Sequence, residues 1–154
     1  MMKMKLEEQI YKYAVILWGK EAQLLMLVEE ISEFRIEHSD ICHADEDKCV
    51  ERESADVSIM LEQMKVMFDF EIDNEFRGER LYWFGSLNLK EKRDLLYFNF
   101  DQIIKHICHY LRQRICEDQI TLLAKILYAD FHTYIESNAW QTKWGCDYLG
   151  KAMG

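Results

Sequence analysis

No proline interrupts this chain of 154 residues, and only 6 glycines loosen it. Proline breaks helices by removing an amide N–H and clashing with the preceding turn, so a sequence this poor in breakers favours long helices over strands and tight turns. Apolar residues recur at three- and four-residue steps, the period of a helix with one buried face. A first helix is expected over about 4–18, with Ile10, Tyr13, Ala14 and Leu17 on one stripe and Trp18-Gly19 marking its end. A second, over about 20–38, carries Leu24, Leu27, Val28, Ile31 and Phe34, and a third, over about 46–69, carries Val50, Val57, Leu61, Met64 and Phe68. Residues 71–84 read as a shorter, more polar helix in which Gly78 weakens continuation by roughly 1 kcal/mol relative to Ala. Asn88 followed by Glu91 has the spacing of a capping box and opens a helix striped by Leu96, Phe100, Ile103, Ile107 and Leu111. A last helix over about 117–137 carries Ile120, Leu123, Leu127 and Tyr134 and precedes an aromatic tail from Trp140 to Gly154. The expected fold class is all-α, with Gly85-Ser86 dividing residues 1–85 from a helical extension over 86–154.

Two acidic couplets break the apolar pattern: Glu29-Glu30-Ile31-Ser32-Glu33 in the second helix and Glu53-Ser54-Ala55-Asp56 in the third. Residues three apart on a helix share a face and lie about 4.5 Å apart along the axis, so Glu30 with Glu33, and Glu53 with Asp56, each form a two-pronged grip. Glu30 with Asp56 and Glu33 with Glu53 are both centred on position 43, inside the polar stretch from Ser39 to Asp47 where a turn is expected. If the helices fold back there, four carboxylates arrive at one level. The face of Glu30 and Glu33 runs backwards through Met26 and Ala22, and that of Glu53 and Asp56 runs forwards through Met60 and Met67, which implies burial. Unpaired buried carboxylates cost several kcal/mol or protonate. Hard oxygen donors without Cys or His suit Mg²⁺, or Mn²⁺, rather than Zn²⁺. The competing explanation is an ordinary solvated acidic face, since the chain has 28 acids.

The net charge of −9 argues against binding polymeric DNA or RNA, which is driven by neutralising phosphates with Lys and Arg. A small phosphorylated ligand stays compatible, because a bound divalent ion reverses the charge locally. Cys42, Cys49, Cys108, Cys116 and Cys146 form no CxxC pair, the N-terminus lacks an apolar signal core, and no apolar run approaches the roughly 20 residues needed to span a bilayer. A soluble cytoplasmic protein with reduced thiols and no membrane partner is expected. Neither a GxSxG elbow nor a GxxxxGK[ST] loop is present, so a hydrolase built on this chain would use metal-activated water. His106 and His109 have a metal-compatible spacing but no completing ligand, Asp40 and His43 lie in the expected turn, and Trp18, Trp83, Trp140 and Trp144 are candidates to stack on a base.

Taken together, Trp18-Gly19-Lys20-Glu21-Ala22-Gln23-Leu24, Glu29-Glu30-x-x-Glu33, and Glu53-x-x-Asp56-Val57 with Met60-Leu61-Glu62-Gln63-Met64 resemble the MazG-like branch of the all-α nucleoside triphosphate pyrophosphohydrolases, in particular its small phage and prophage-type members. The resemblance covers residues 10 to about 82. It implies a MazG-like helical bundle, a homodimer or homotetramer, and Mg²⁺-dependent cleavage of a nucleoside triphosphate to the monophosphate and pyrophosphate. Carried over residue by residue, it makes Glu30, Glu33, Glu53 and Asp56 the metal ligands and Glu29 either a group that supports those ligands from behind or one that activates water. Arg77 and Arg80 fall where such proteins place phosphate-contacting basic residues. Within the same superfamily a dimeric dUTPase-like or phosphoribosyl-ATP-hydrolysing specificity is the nearer alternative. From a different class, the chain could be a non-catalytic protein that sequesters a nucleotide or engages a protein partner through its acidic surface or residues 86–154. A carboxylate-bridged di-iron protein is disfavoured, because no ExxH partners accompany the acids.

Overall fold

The computed structural model describes residues 6–39, 47–112 and 117–136, and every element among them is helical: α1 (Leu6–Ser39), α2 (Asp47–Met67), α3 (Asn74–Gly85), α4 (Leu89–Leu111) and α5 (Glu117–Glu136). Each helix of the α1–α2 hairpin meets one helix of the α4–α5 hairpin, α1 against α4 and α2 against α5, closing a four-helix bundle. Helix α3 packs on the outside of α5. The all-α expectation is met.

Leu24, Leu27, Ile31 and Phe34 of α1 are fully buried in one core with Val57, Leu61 and Met64 of α2 and Phe68 just beyond its end, and the same core continues through Leu96, Phe100, Ile103 and Ile107 of α4 and Ile120, Leu127, Phe131 and Tyr134 of α5. Phe34 is central to it, meeting Phe100 and Phe131 edge-on at centroid separations of 5.8 and 5.4 Å. Each such side chain contributes on the order of 1.5–3 kcal/mol through removal from water. Because this core draws on all four long helices, Gly85-Ser86 separates two helices while the apolar interior runs across it.

Local sequence explains most of the helix ends. Asn88 and Glu91 form the reciprocal capping box, with bonds of 2.9 and 3.0 Å. Asp73 caps α3 by accepting from the Phe76 amide at 2.8 Å. Helix α3 therefore begins three residues later than the expected 71, and it continues through Gly78 to Gly85. One propensity penalty of this size does not outweigh a good N-cap and packing on α5.

The first half of α1 departs from expectation. Helical hydrogen bonding is interrupted at Gly19, whose φ of 85° and ψ of 159° no side-chain-bearing residue adopts without strain. Of the expected apolar stripe before it, Ala14 is buried, but Ile10, Tyr13 and Leu17 are exposed, as are Leu6, Ile16 and Trp18. The turn at Gly19 changes the direction of the chain, and before it Ala14 and, in part, Val15 are covered while most of the expected stripe is left exposed. In α2, Met60 and Met67 are inside, as the apolar continuation of the acidic face implied, whereas Ile59 is exposed. Val50, Asp40, His43, Trp140, Trp144 and four of the cysteines fall outside the residues whose side chains are described; Cys108 is free and exposed. Among the described residues no helix is long and apolar enough to cross a membrane.

The space around a Cβ at Gly19 is open, so a Gly19→Ala change introduces backbone strain alone. We expect a loss of about 1–3 kcal/mol in urea unfolding. An unchanged midpoint would mean that the turn is not required.

Candidate metal centre

Both acidic couplets lie on regular helix, and the α1–α2 hairpin brings them together. Glu30, Glu33 and Glu53 each offer a carboxylate oxygen within 4.8 Å of the others. Asp56 falls outside that set but lies close enough for its charge to act on both Glu30 and Glu53. Glu29 is exposed beside them and acts on Glu30. The four expected ligands therefore share one neighbourhood, with Glu33 against Glu53 as the common centre at position 43 requires.

The electrostatics are those of an uncompensated cluster. Burial, followed by the charges of Glu33, Asp56, Glu53 and Glu29, pushes the Glu30 carboxyl up to about 7. Glu53 is also raised, by burial, by the charge of Glu33 and by a hydrogen bond with it, while Arg52 pulls the other way. A carboxyl pair can hydrogen-bond only if one member holds a proton, so Glu33 and Glu53 share one in this arrangement. The Oε2 atoms of Glu30 and Glu53 are both buried without a hydrogen-bond partner. Ser32 and Ser54, which sit among the acids in sequence, donate instead to the helix backbone at Val28 (2.9 Å) and Glu51 (2.7 Å). This donor set fits a hard divalent cation: all oxygen, anionic, convergent and unsatisfied. The apolar surroundings are less complete than expected, because Met60 and Met67 are buried while Ala22 and Met26 are exposed. The cluster therefore opens to solvent along the α1 side.

The two arginines have other engagements. Arg80 donates through Nε and Nη2 to Asp130 at 3.0 and 2.6 Å, and Asn99 donates to the same carboxylate at 2.9 Å. Asp130 is fully buried, so this bidentate pair compensates a charge inside α5 and ties α3 to it. Arg77, more exposed, pairs with Glu136 at 3.7 Å.

Two polar groups escaped the sequence reading. His38, buried and stacked on Phe34 at 5.3 Å, has one ring nitrogen 2.6 Å from the Tyr97 hydroxyl and the other 2.6 Å from that of Tyr134. It joins α1, α4 and α5. Both His38 and Asp130 continue apolar stripes, after Ile31 and Phe34 and after Leu127 respectively, and a polar residue on such a stripe was the available signal. His106 uses Nδ1 on the Gln102 carbonyl at 2.8 Å, a structural engagement within α4. Trp18 and Trp83 are both exposed.

Linkage fixes the pH behaviour of the metal-free protein. Glu30 holds its proton more tightly when folded, so the folded state binds more protons between the unfolded value near 4.5 and about 7, and stability falls as pH rises through that window. We expect the metal-free melting temperature to decline over this range, and saturating Mg²⁺ or Mn²⁺ to reverse the decline above pH 7. A metal-free protein that gains stability toward pH 7.5, or one indifferent to both ions, would contradict the cluster as described.

A scan of known protein families, a search of curated proteins and a search of solved structures each returned no match.

Proposed function

We propose that this chain is a Mg²⁺-dependent nucleoside triphosphate pyrophosphohydrolase. The observation that carries the reading is the convergence of Glu30, Glu33 and Glu53, with a buried unsatisfied oxygen on Glu30 and on Glu53 and no interleaved His or Cys. Glu30, Glu33, Glu53 and Asp56 would hold the cation, with Mn²⁺ as a substitute. When bound, it would screen the triphosphate and offset the charge developing on the leaving pyrophosphate.

The residues supply the rest. Water attacks the α-phosphorus, its oxygen forms the new bond, and the bond to the bridging oxygen of the β-phosphate breaks, giving the monophosphate and pyrophosphate. Glu29, exposed beside the cluster, is placed to accept the proton that the attacking water gives up. Arg80 is committed to buried Asp130, so Arg77, more exposed and in a looser pair with Glu136, is the freer of the two to meet a phosphate oxygen. The test is pyrophosphate release from a panel of ribo-, deoxyribo- and modified triphosphates with Mg²⁺ and Mn²⁺. Glu53→Gln should lower turnover by at least 100-fold, and no release from any substrate by the native protein would refute the reading.

Self-association belongs to the same proposal. Leu6, Ile10, Tyr13 and Leu17 have the a/d spacing of a helix seam and are exposed, and Met26 and Ile59 continue exposed apolar surface to the helices that carry the acids. A second copy of the chain is the occupant this surface fits. Sedimentation should give a dimer or tetramer, and Ile10→Glu combined with Leu17→Glu should dissociate it. A native protein that is monomeric at micromolar concentration would remove this part.

A further inference from the structure

The register that aligns the acids also aligns two amides. Glu33 meets Glu53 and Glu30 lies in the field of Asp56, pairs that sum to 86, and the same register puts Met26 level with Met60 and Gln23 level with Gln63 along the α1–α2 hairpin. Along each helix these four positions follow a 3-4-3 spacing, which keeps them on one seam of two packed helices. Gln23 is 1% exposed and Gln63 is 8% exposed, and the side-chain oxygen of each is buried with no hydrogen-bond partner.

A buried amide oxygen without a donor costs on the order of 1–3 kcal/mol, and two at mirrored positions double the cost in one layer of one seam. Leu or Met would fill the same volume without that cost. The rest of the core shows the contrast, since its other buried polar groups, His38, Ser54 and Asp130, all have partners. The unsatisfied groups among the described residues are confined to this seam: Gln23, Gln63, Glu30 and Glu53.

We infer that Gln23 and Gln63 are the base-recognising end of the site, reading the hydrogen-bonding edge of a nucleobase whose phosphates lie at the acids. This rests on the proposed nucleotide reading of the acid cluster. Seven residues of helix separate the Gln layer from that of Glu30 and Asp56, about 10 Å, a span on the scale of a nucleoside. Between them, Met26 and Met60 supply a flexible, polarisable apolar layer of the kind that accommodates a flat ring. Met60 is buried, whereas Met26 is 43% exposed and so forms the side from which a base would enter. A carboxamide offers one acceptor and two donors and can rotate to exchange them, so two facing amides can match the mixed donor and acceptor edge that distinguishes one base from another. The ligand class is a nucleotide with an intact base, and the two glutamines are specificity-determining residues rather than groups acting on phosphorus.

The experiment compares native protein with Gln23→Met and Gln63→Met, substitutions that conserve volume and remove the amide. Binding of the four nonhydrolysable deoxynucleoside triphosphate analogues is measured by calorimetry in Mg²⁺, together with the melting temperature of each free protein. If the amides read the base, the native preference among the four analogues shrinks at least tenfold in either variant, while the melting temperature rises or holds because a buried unsatisfied group has gone. If the native protein binds the analogues and the variants keep its full preference, or if the native protein shows no preference, the inference is overturned and the nucleotide reading stands. If the native protein binds no analogue, both fall. Should one methionine variant fail to fold, Gln63→Glu or Gln23→Glu replaces it, and an unaltered order of base preference then counts against the inference.

Discussion

The fold-back of α1 on α2 about position 43 is the constraint on which the site depends. It sets Glu33 against Glu53 and places Glu30 and Asp56 in the same field, and nothing else in the described chain gathers these carboxylates. A register shift of one residue would rotate each acid by about 100° around its helix and disperse the set. The register is held from the opposite side of the hairpin, where Leu24, Leu27, Ile31 and Phe34 interlock with Val57, Leu61, Met64 and Phe68. Apolar packing on one face thus pins a polar seam on another.

The second hairpin steadies this arrangement through polar contacts as well as apolar ones. His38 links the end of α1 to Tyr97 of α4 and Tyr134 of α5, and Arg35, one turn from the acids, lies over the Tyr97 ring at 4.5 Å and pairs with Asp101. At the other end Lys20 pairs with Glu117 at 3.2 Å and sits over the Phe68 ring at 5.2 Å. Each exposed pair contributes little alone. Together they fix the acid-bearing half of α1 at both ends against the extension, which gives residues beyond Gly85 a physical part in holding the site. That relation was not legible in the sequence, because spacing along one chain does not say which hairpin packs on which.

What the sequence did disclose follows from what periodicity can carry. The buried faces of the second half of α1 and of α2, α4 and α5 were readable because each is a single stripe facing a single core. The capping box of α4 and the break at Gly19 were readable because they are local chemistry. The stripe of Ile10, Tyr13 and Leu17 was equally regular and yet is exposed, since an apolar stripe reports that something covers it and not what does. Arg80 shows the reverse limit: a basic residue in a polar helix looks available until a fully buried carboxylate 50 positions away claims it. The acid quartet itself was legible as a set only because the midpoint rule turns two local couplets into one three-dimensional prediction. The burial of its oxygens was legible in part: the flanking Met60 and Met67 are covered as their pattern implied, whereas Ala22 and Met26 are exposed, because which side of α1 is covered depends on how α1 and α2 pack.

A bundle can carry a seam this costly because stability and chemistry occupy different faces of the same two helices. Burial and the neighbouring acids raise the Glu30 carboxyl, and Glu33 and Glu53 meet through a hydrogen bond. Both effects weaken as a divalent ion takes up the negative charge, so binding would stabilise the fold in proportion to the repulsion it relieves. Replacing these acids with apolar residues of similar size should make the hairpin more stable, as it does for other buried charges. The sequence has the less stable choice at Glu30, Glu33, Glu53 and Asp56, and at Gln23 and Gln63 as well, while the core face of the same hairpin is apolar throughout, from Leu24 to Phe34 and from Val57 to Phe68. These local violations of good packing are confined to one seam and all present oxygen atoms, the pattern expected where stability is traded for another role.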